Sequence, residues 1–240
     1  MAQMNYETIW EQMRVRSPDI WPTWPVIAPY AEKAKKRLEI GAGVLPKFPI
    51  QGTYFLDTSK KSVEKLQVKG GKGAVLSAED PFPFGDGFFD LVGAFEVLEH
   101  LQRPEEAIKE VARVLQLNGM FLFSSPVHQR YWSQWDTFAG HVRRFEIEPL
   151  GRMLTNAGFV VECCYVFRKA GAFKVPFANV FGKVGRAVLS RFAQARVLDA
   201  CFFLFIRLSR ATTKPEYFAA LPDVPSNALA LFVVCRKVQK

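Results

Sequence analysis

The apolar positions of this chain fall into two alternating rhythms. Short runs of the length of strands occur at 37–40, 53–56, 74–76, 89–94, 120–123, 159–167 and 228–234. Between several of them the spacing becomes helical. The clearest case is 104–115, where Pro104 opens the segment and Ala107, Ile108, Val111, Val114 and Leu115 share one face. Residues 59–67 read as a helix with Ser59 as N-cap, 148–157 as one closed by Gly158, and 26–37 as the first helix. Asn118-Gly119 is expected to end the helix at 104–115 and turn the chain into the fifth strand. Strands alternating with helices predict an α/β fold, a doubly wound, mostly parallel seven-stranded sheet. In such sheets ligands bind beyond the carboxyl ends of the strands, so chemistry is sought in the residues just after each strand.

A length of 240 residues suits one α/β domain spanning 1–240. Within it, 1–25 is expected to be a cap laid over the rest, because Trp10, Trp21 and Trp24 alternate there with Pro18, Pro22 and Pro25. Residues 26–167 would form the ligand-binding core, 168–225 an insertion, and 226–240 the final strand. Apolar residues make up 49% and charged residues 23%, which is ample for a core.

The net charge of +9 is local rather than general. Between Arg168 and Lys214 stand ten Lys/Arg and one acid, Asp199. There Arg186, Arg191 and Arg196 recur among Val188, Leu189, Phe192 and Val197, before the apolar run 201–206. Two readings compete for this segment. One is a helical lid packed on the domain or on a second subunit of a homodimer. The other is a peripheral membrane contact through 168–214, at the inner face of the membrane, cationic on one side and rich in Phe and Leu on the other. The apolar run is too short to span a bilayer. No RNA-binding module or aromatic platform is evident, which argues against nucleic acid as the partner. The four cysteines, Cys163, Cys164, Cys201 and Cys235, form no CxxC pair, and the first residues lack a signal core, so a cytoplasmic location is expected.

The first strand runs into Gly41-Ala42-Gly43, where two glycines permit a tight turn and a close approach to a ligand. The third glycine of a dinucleotide fingerprint would stand at 46, and Pro46 is there, so a nicotinamide cofactor is disfavoured. The second strand ends at Asp57, an acid placed to accept from two ribose hydroxyls.

The strings LEIGAG, SAEDPFPFGDGFFDLV, AFEVLEHL and PEEAIKEVARVLQLNGMFLFSSP, with Asp57 between the first two, resemble the class I S-adenosylmethionine (SAM)-dependent methyltransferases of the type 11 kind, including the ubiquinone-pathway enzymes. The string HVRRFEIEPLGRMLTNAGFVV extends the likeness to about residue 161. The resemblance implies a Rossmann-like fold and SAM as methyl donor. Taken with the basic, apolar segment, the expected acceptor is small or lipid-linked, with oxygen favoured over nitrogen or carbon. The resemblance further implies that Glu39, Gly41 and Gly43 hold the methionine part of SAM, Asp57 the ribose, and Ala78 and Glu79 the adenine. Phe95 and Glu96 would close the pocket near the methyl group. The chain departs from the pattern in two places. Only about a dozen residues, with Pro46 and Pro49, separate Gly43 from the second strand, so the usual helix there must be absent or vestigial. The acid usual before the Ala-Glu pair is Ser77.

Transfer to a hydroxyl calls for a base to take its proton. His128, just after the fifth strand, and His141 are the candidates. Glu96, Glu99 and His100 form an ExxEH string whose members share one face of a helical turn. With His141 they resemble the divalent-metal site of the metal-dependent ubiquinone-pathway O-methyltransferases and small-RNA 2′-O-methyltransferases. The plainer reading, a string that packs through Leu98 and Leu101 in metal-free relatives, stands beside it. A protein that binds SAM without turning it over is the remaining alternative.

Overall fold

The computed structural model describes residues 5–167 and 215–239. In chain order its elements are α1 (Tyr6–Gln12), α2 (Trp24–Lys33), β1 (Arg37–Ile40), β2 (Tyr54–Asp57), α3 (Lys60–Val68), β3 (Lys72–Val75) and β4 (Phe89–Phe95). Then come α4 (Pro104–Val114), β5 (Leu115–Pro126), α5 (Gln134–Ala139), α6 (Ile147–Asn156), β6 (Phe159–Phe167), β7 (Glu216–Phe218) and β8 (Ala230–Lys237). The strands form one sheet in the order β3-β2-β1-β4-β5-β8-β6-β7. Strands β3, β2, β1, β4 and β5 pair in parallel, while β8 lies antiparallel between β5 and β6.

The order runs outward from β1 to β3 and then restarts at β4, so the winding reverses between β1 and β4. That reversal opens a crevice at the carboxyl ends of these two strands. Among the described residues the sheet has eight strands rather than the seven expected. The additional one is β7, a three-residue edge strand on β6, in the stretch read from sequence as insertion. Residues 168–214 of that stretch, with their lid and membrane-contact readings, lie outside the described residues.

Helix α4 shows how pattern becomes packing. Pro104 stands in its first turn, where a missing N–H costs nothing, and Glu105 and Glu106 suit the positive end of the helix dipole. Ala107, Ile108, Val111 and Val114 are buried against the sheet, each of the larger ones contributing roughly 1.5–3 kcal/mol. Asn118-Gly119 does not terminate this helix. The chain passes from Val114 directly into β5, and Asn118 (φ 62°) sits inside that strand at a break in the β4/β5 register. The short polar side chain tolerates that left-handed conformation, which is why the pair imitates a helix stop.

No helix stands between β1 and β2. Its place against the sheet is filled by α2 and by Phe48, which is fully buried beside Phe95 (ring centroids 5.6 Å apart). Gly93 on β4 makes room for that ring, since a Cβ there would come within 2.7 Å of it. Helix α2, read from sequence as 26–37, starts two residues earlier at Trp24 and stops four residues earlier at Lys33, because Arg37 is drawn into β1. Among the described residues no helix is long and apolar enough to cross a membrane.

Candidate cofactor and acceptor site

The loop after β1 is shaped by two buried acids. Glu39, 1% exposed, accepts from the backbone N–H of Lys47 and of Phe48, both at 2.8 Å, and so ties down the far end of the loop. Burial pushes its carboxyl up to about 7, against those two bonds and the nearby Lys47 ammonium. At the near end, Gly43 N–H donates to Asp57 Oδ2 (2.8 Å), while Asp57 Oδ1 accepts from Ser59 N–H (2.8 Å). Burial raises Asp57 above the usual carboxylate range, opposed by these bonds. Gly41 and Gly43 both have positive φ, 66° and 55°, which other residues adopt only with strain. Asp57 and the glycine turn therefore meet at the carboxyl ends of β1 and β2, where the sequence placed them. A carboxylate offers about four acceptor positions, more than the backbone bonds from Gly43 and Ser59 and the Ser62 side chain use, so the residues present fit a ribose hydroxyl of SAM.

Helix α1 covers this turn. The Trp10 indole lies over Gly43, at 2.6 Å from where a Cβ would be. Tyr6 stacks on Trp10 and sends its hydroxyl to Ala139 O (3.0 Å). Lys65 Nζ on α3 fastens the helix by donating to the carbonyls of Trp10, Glu11 and Met13. The N-terminal cap is thus a roof on the crevice, and its helix was not foreseen.

The other sequence candidates separate. Ala78 and Glu79 follow β3, and Glu79 Oε1 accepts from Arg103 N–H (2.7 Å) just ahead of α4. Phe95 turns into the core, between Phe48 and Phe232. Glu96, in a left-handed conformation (φ 56°), stands exposed at the end of β4 and accepts from Ser124 Oγ (2.7 Å).

Glu99, His100 and His141 converge, with ligand atoms all within 4.8 Å of one another. Glu96 adjoins the three without being one of them, and its charge adds to the burial that lifts Glu99 well above its ordinary value. His100 Nδ1 faces Gly140 O (3.3 Å) and His141 Nδ1 faces Asp136 Oδ1 (2.9 Å). Both partners only accept, so each neutral ring carries its proton on Nδ1 and presents a bare Nε2. Glu99 Oε2 accepts from Ser125 Oγ, whereas Oε1 is buried with no hydrogen-bond partner among the described residues and lies 3.9 Å from His141 Nε2. Burial and then His141 lower His100 to about 4. Two imidazoles and a carboxylate, oriented from behind by a carbonyl and a carboxylate, are a donor set that fits a divalent cation.

His128 repeats the arrangement. Its Nδ1 is 3.0 Å from Glu146 Oε2, and its Nε2 is buried without a hydrogen-bond partner among the described residues. Its backbone is left-handed (φ 63°), a strain consistent with a functional position. Asp136 and Glu146 were missed from sequence. Asp136 is the N3 residue of the capping box on Ser133 and also accepts from Arg144 Nε (2.8 Å). Burial pushes Asp136 up, but bonds from His141, Arg144 and Ser133 prevail and hold it well below the usual range. The broad groove of about 600 Å³ lined by Pro25, Tyr30, Asp90 and Tyr165 is at the opposite, amino end of β4 and takes no part in this site.

Residues 38–123 match the family model described as "Methyltransferase domain", of type 11. Over this segment the chain is similar to the class I SAM-dependent methyltransferases of the type 11 kind. A probable S-adenosylmethionine-dependent methyltransferase of Mycolicibacterium smegmatis is 33% identical over 126 residues, 51% of this chain and 46% of that protein. One of Mycobacterium tuberculosis is 36% identical over 93 residues, 38% of this chain and 33% of its own. The matched stretch thus spans less than half the length of either relative. Among solved structures, the [4+2]-cyclase SpnF aligns with TM-score 0.60 at 16% identity, covering 90% of this chain and 80% of its own. A Haemonchus contortus phosphoethanolamine N-methyltransferase, solved with S-adenosylhomocysteine, aligns with TM-score 0.57 at 16% identity, covering 91% and 53%. At such identities these structures establish the methyltransferase fold alone.

Proposed function

We propose that the protein transfers a methyl group from SAM to a hydroxyl of a small or lipid-linked acceptor. The observation that carries this reading is the bond between Gly43 and Asp57 at the carboxyl ends of β1 and β2, beside the winding reversal and inside a segment of methyltransferase sequence. SAM supplies an electrophilic methyl group on a sulfonium. The chain's own part is to align donor and acceptor, since orientation removes many kcal/mol from an in-line displacement. His128 and His141 are suited to accept the hydroxyl proton, each on an Nε2 fixed from behind by a carboxylate. The basic, apolar stretch 168–214 favours an acceptor at an anionic lipid surface, a reading that rests on sequence. Calorimetric titration with SAM, wild type against Asp57→Ala, followed by radiolabelled methyl transfer to a panel of phenols, quinols and lipid-linked sugars, tests the proposal. SAM binding with no turnover across the panel would turn the reading to a SAM-fold binding protein, as the shared fold of a cyclase shows that fold does not dictate methyl transfer.

A second reading is favoured by the unpartnered Glu99 Oε1. Glu99, His100 and His141 would hold a divalent cation that orients the acceptor's hydroxyls, including the vicinal hydroxyls of an RNA terminus. It predicts turnover that stops on chelation and returns with metal.

A further inference from the structure

The carboxylate of SAM needs a positive partner, and in this fold the helix after the glycine turn ordinarily offers its N-terminus for that purpose. Here that helix does not exist. The loop from Gly41 to Gly52 contains a single cationic side chain, Lys47. Its backbone N–H is fixed on Glu39 (2.8 Å) and its ammonium donates to Leu45 O (3.2 Å). The same ammonium lies 3.2 Å from the centre of the Trp21 ring, whose Nε1–H is anchored on Pro46 O (3.2 Å). The carboxylates that act on it electrostatically are Glu39 and Glu96. Glu39 belongs to β1 and Glu96 ends β4, so the ammonium stands across the winding reversal. Asp57, the ribose acceptor, is on β2, the other side of the glycine turn. A donor with its ribose at Asp57 and its methyl group toward Glu96 would bring its amino-acid end past Gly43 toward the loop that carries Lys47.

We propose that Lys47 holds the carboxylate of SAM, taking over with one side-chain charge the role of the missing helix N-terminus. The assignment rests on the SAM reading above. The loop suits this role on three counts. Glu39 pins the backbone of Lys47, so the side chain starts from a fixed point. The Trp21 face and the Leu45 carbonyl hold the ammonium without neutralising it, since neither carries a charge. Among the described residues the half-buried ammonium donates to one acceptor, the Leu45 carbonyl, which leaves further N–H groups for a ligand.

The test is a thermodynamic cycle on the full chain with two ligands that differ only at the carboxylate, S-adenosylhomocysteine and its decarboxylated analogue. Wild type should prefer the carboxylate-bearing ligand at least tenfold. Lys47→Met should cut that preference to within twofold by weakening S-adenosylhomocysteine alone, and Lys47→Arg should restore most of it. Equal weakening of both ligands by Lys47→Met would mean that the loop has merely collapsed, and a preference unchanged by Lys47→Met would place the carboxylate elsewhere; either result overturns the assignment. Wild type that binds neither ligand defeats the SAM reading itself, and this assignment with it.

Discussion

Asp57 reaches back across the head of the sheet to grip the backbone of Gly43, Oδ2 to N–H at 2.8 Å. One carboxylate thereby does two jobs. It sets the curvature of the glycine turn, and under the proposed function it would accept from the donor's ribose hydroxyls. Asp57→Ala leaves the N–H groups of Gly43 and Ser59 without their acceptor, at a cost of about 1–3 kcal/mol for each one that stays buried. We expect SAM affinity to fall tenfold or more and the urea midpoint to drop. A variant that keeps both values would detach Asp57 from the cofactor.

Gly43→Ala should be more disruptive than its one methyl group suggests. The left-handed backbone penalises any Cβ by about 1–2 kcal/mol, and this Cβ would enter the Trp10 ring. The expected result is a displaced α1, visible as a red shift of tryptophan emission, together with lost SAM binding. An unchanged spectrum would contradict the placement of Trp10.

Asp136 binds three segments at once through Ser133, His141 and Arg144, and it is fully buried. Asp136→Ala strands a nearly buried guanidinium, so a loss of about 3–5 kcal/mol in urea unfolding is expected. His141→Asn, which leaves the Asp136–Arg144 pair in place, should cost markedly less. Equal losses would mean that the ion pair is not what stabilises this corner.

For the cation reading, protein stripped with EDTA and titrated with Mn²⁺ should show one site per chain, abolished by Glu99→Ala and by His141→Ala. Binding that survives both changes would assign the metal to other residues.

The Lys47 assignment has a signature in pH. Burial lowers the Lys47 ammonium to about 8, with Glu39 and Glu96 opposing. A lysine holds its charge below its pKa and loses it above. Affinity for S-adenosylhomocysteine should therefore fall as pH rises beyond about 8 in wild type. In Lys47→Arg, whose guanidinium stays charged, it should fall much less. Parallel pH profiles would count against the lysine.

Much of this architecture is readable in the chain because period and punctuation agree. The span 159–167 and the start of the helix at Pro104 are legible to the residue, since Gly158 and Pro104 mark them. The absence of a helix before β2 is legible from Pro46 and Pro49. What stays hidden depends on partners distant in sequence. Nothing local tells that Phe95 faces the core while Glu96 faces out, because the left-handed turn at Glu96 that reorients the chain has no glycine to announce it. Asp136 and Glu146 stand at the starts of α5 and α6, and their hold on His141 and His128 appears only when 5 and 18 residues of separation are folded together. The edge strand β7, three residues with one partly apolar face, is too short for any period to register.

The position of β8 also bears on how the molecule comes into being. Residues 230–237 do not extend an edge of the sheet. They are inserted between β5 and β6, pairing with both along most of their length. Until that stretch has left the ribosome, β5 and β6 each present an open edge flanked by buried phenylalanines, and the largest set of non-local pairings is still unmade. Synthesis of the crevice residues is complete long before the sheet that supports them can close, so the emerging chain passes through a phase in which two unpaired strands stand ready to aggregate and to engage a chaperone.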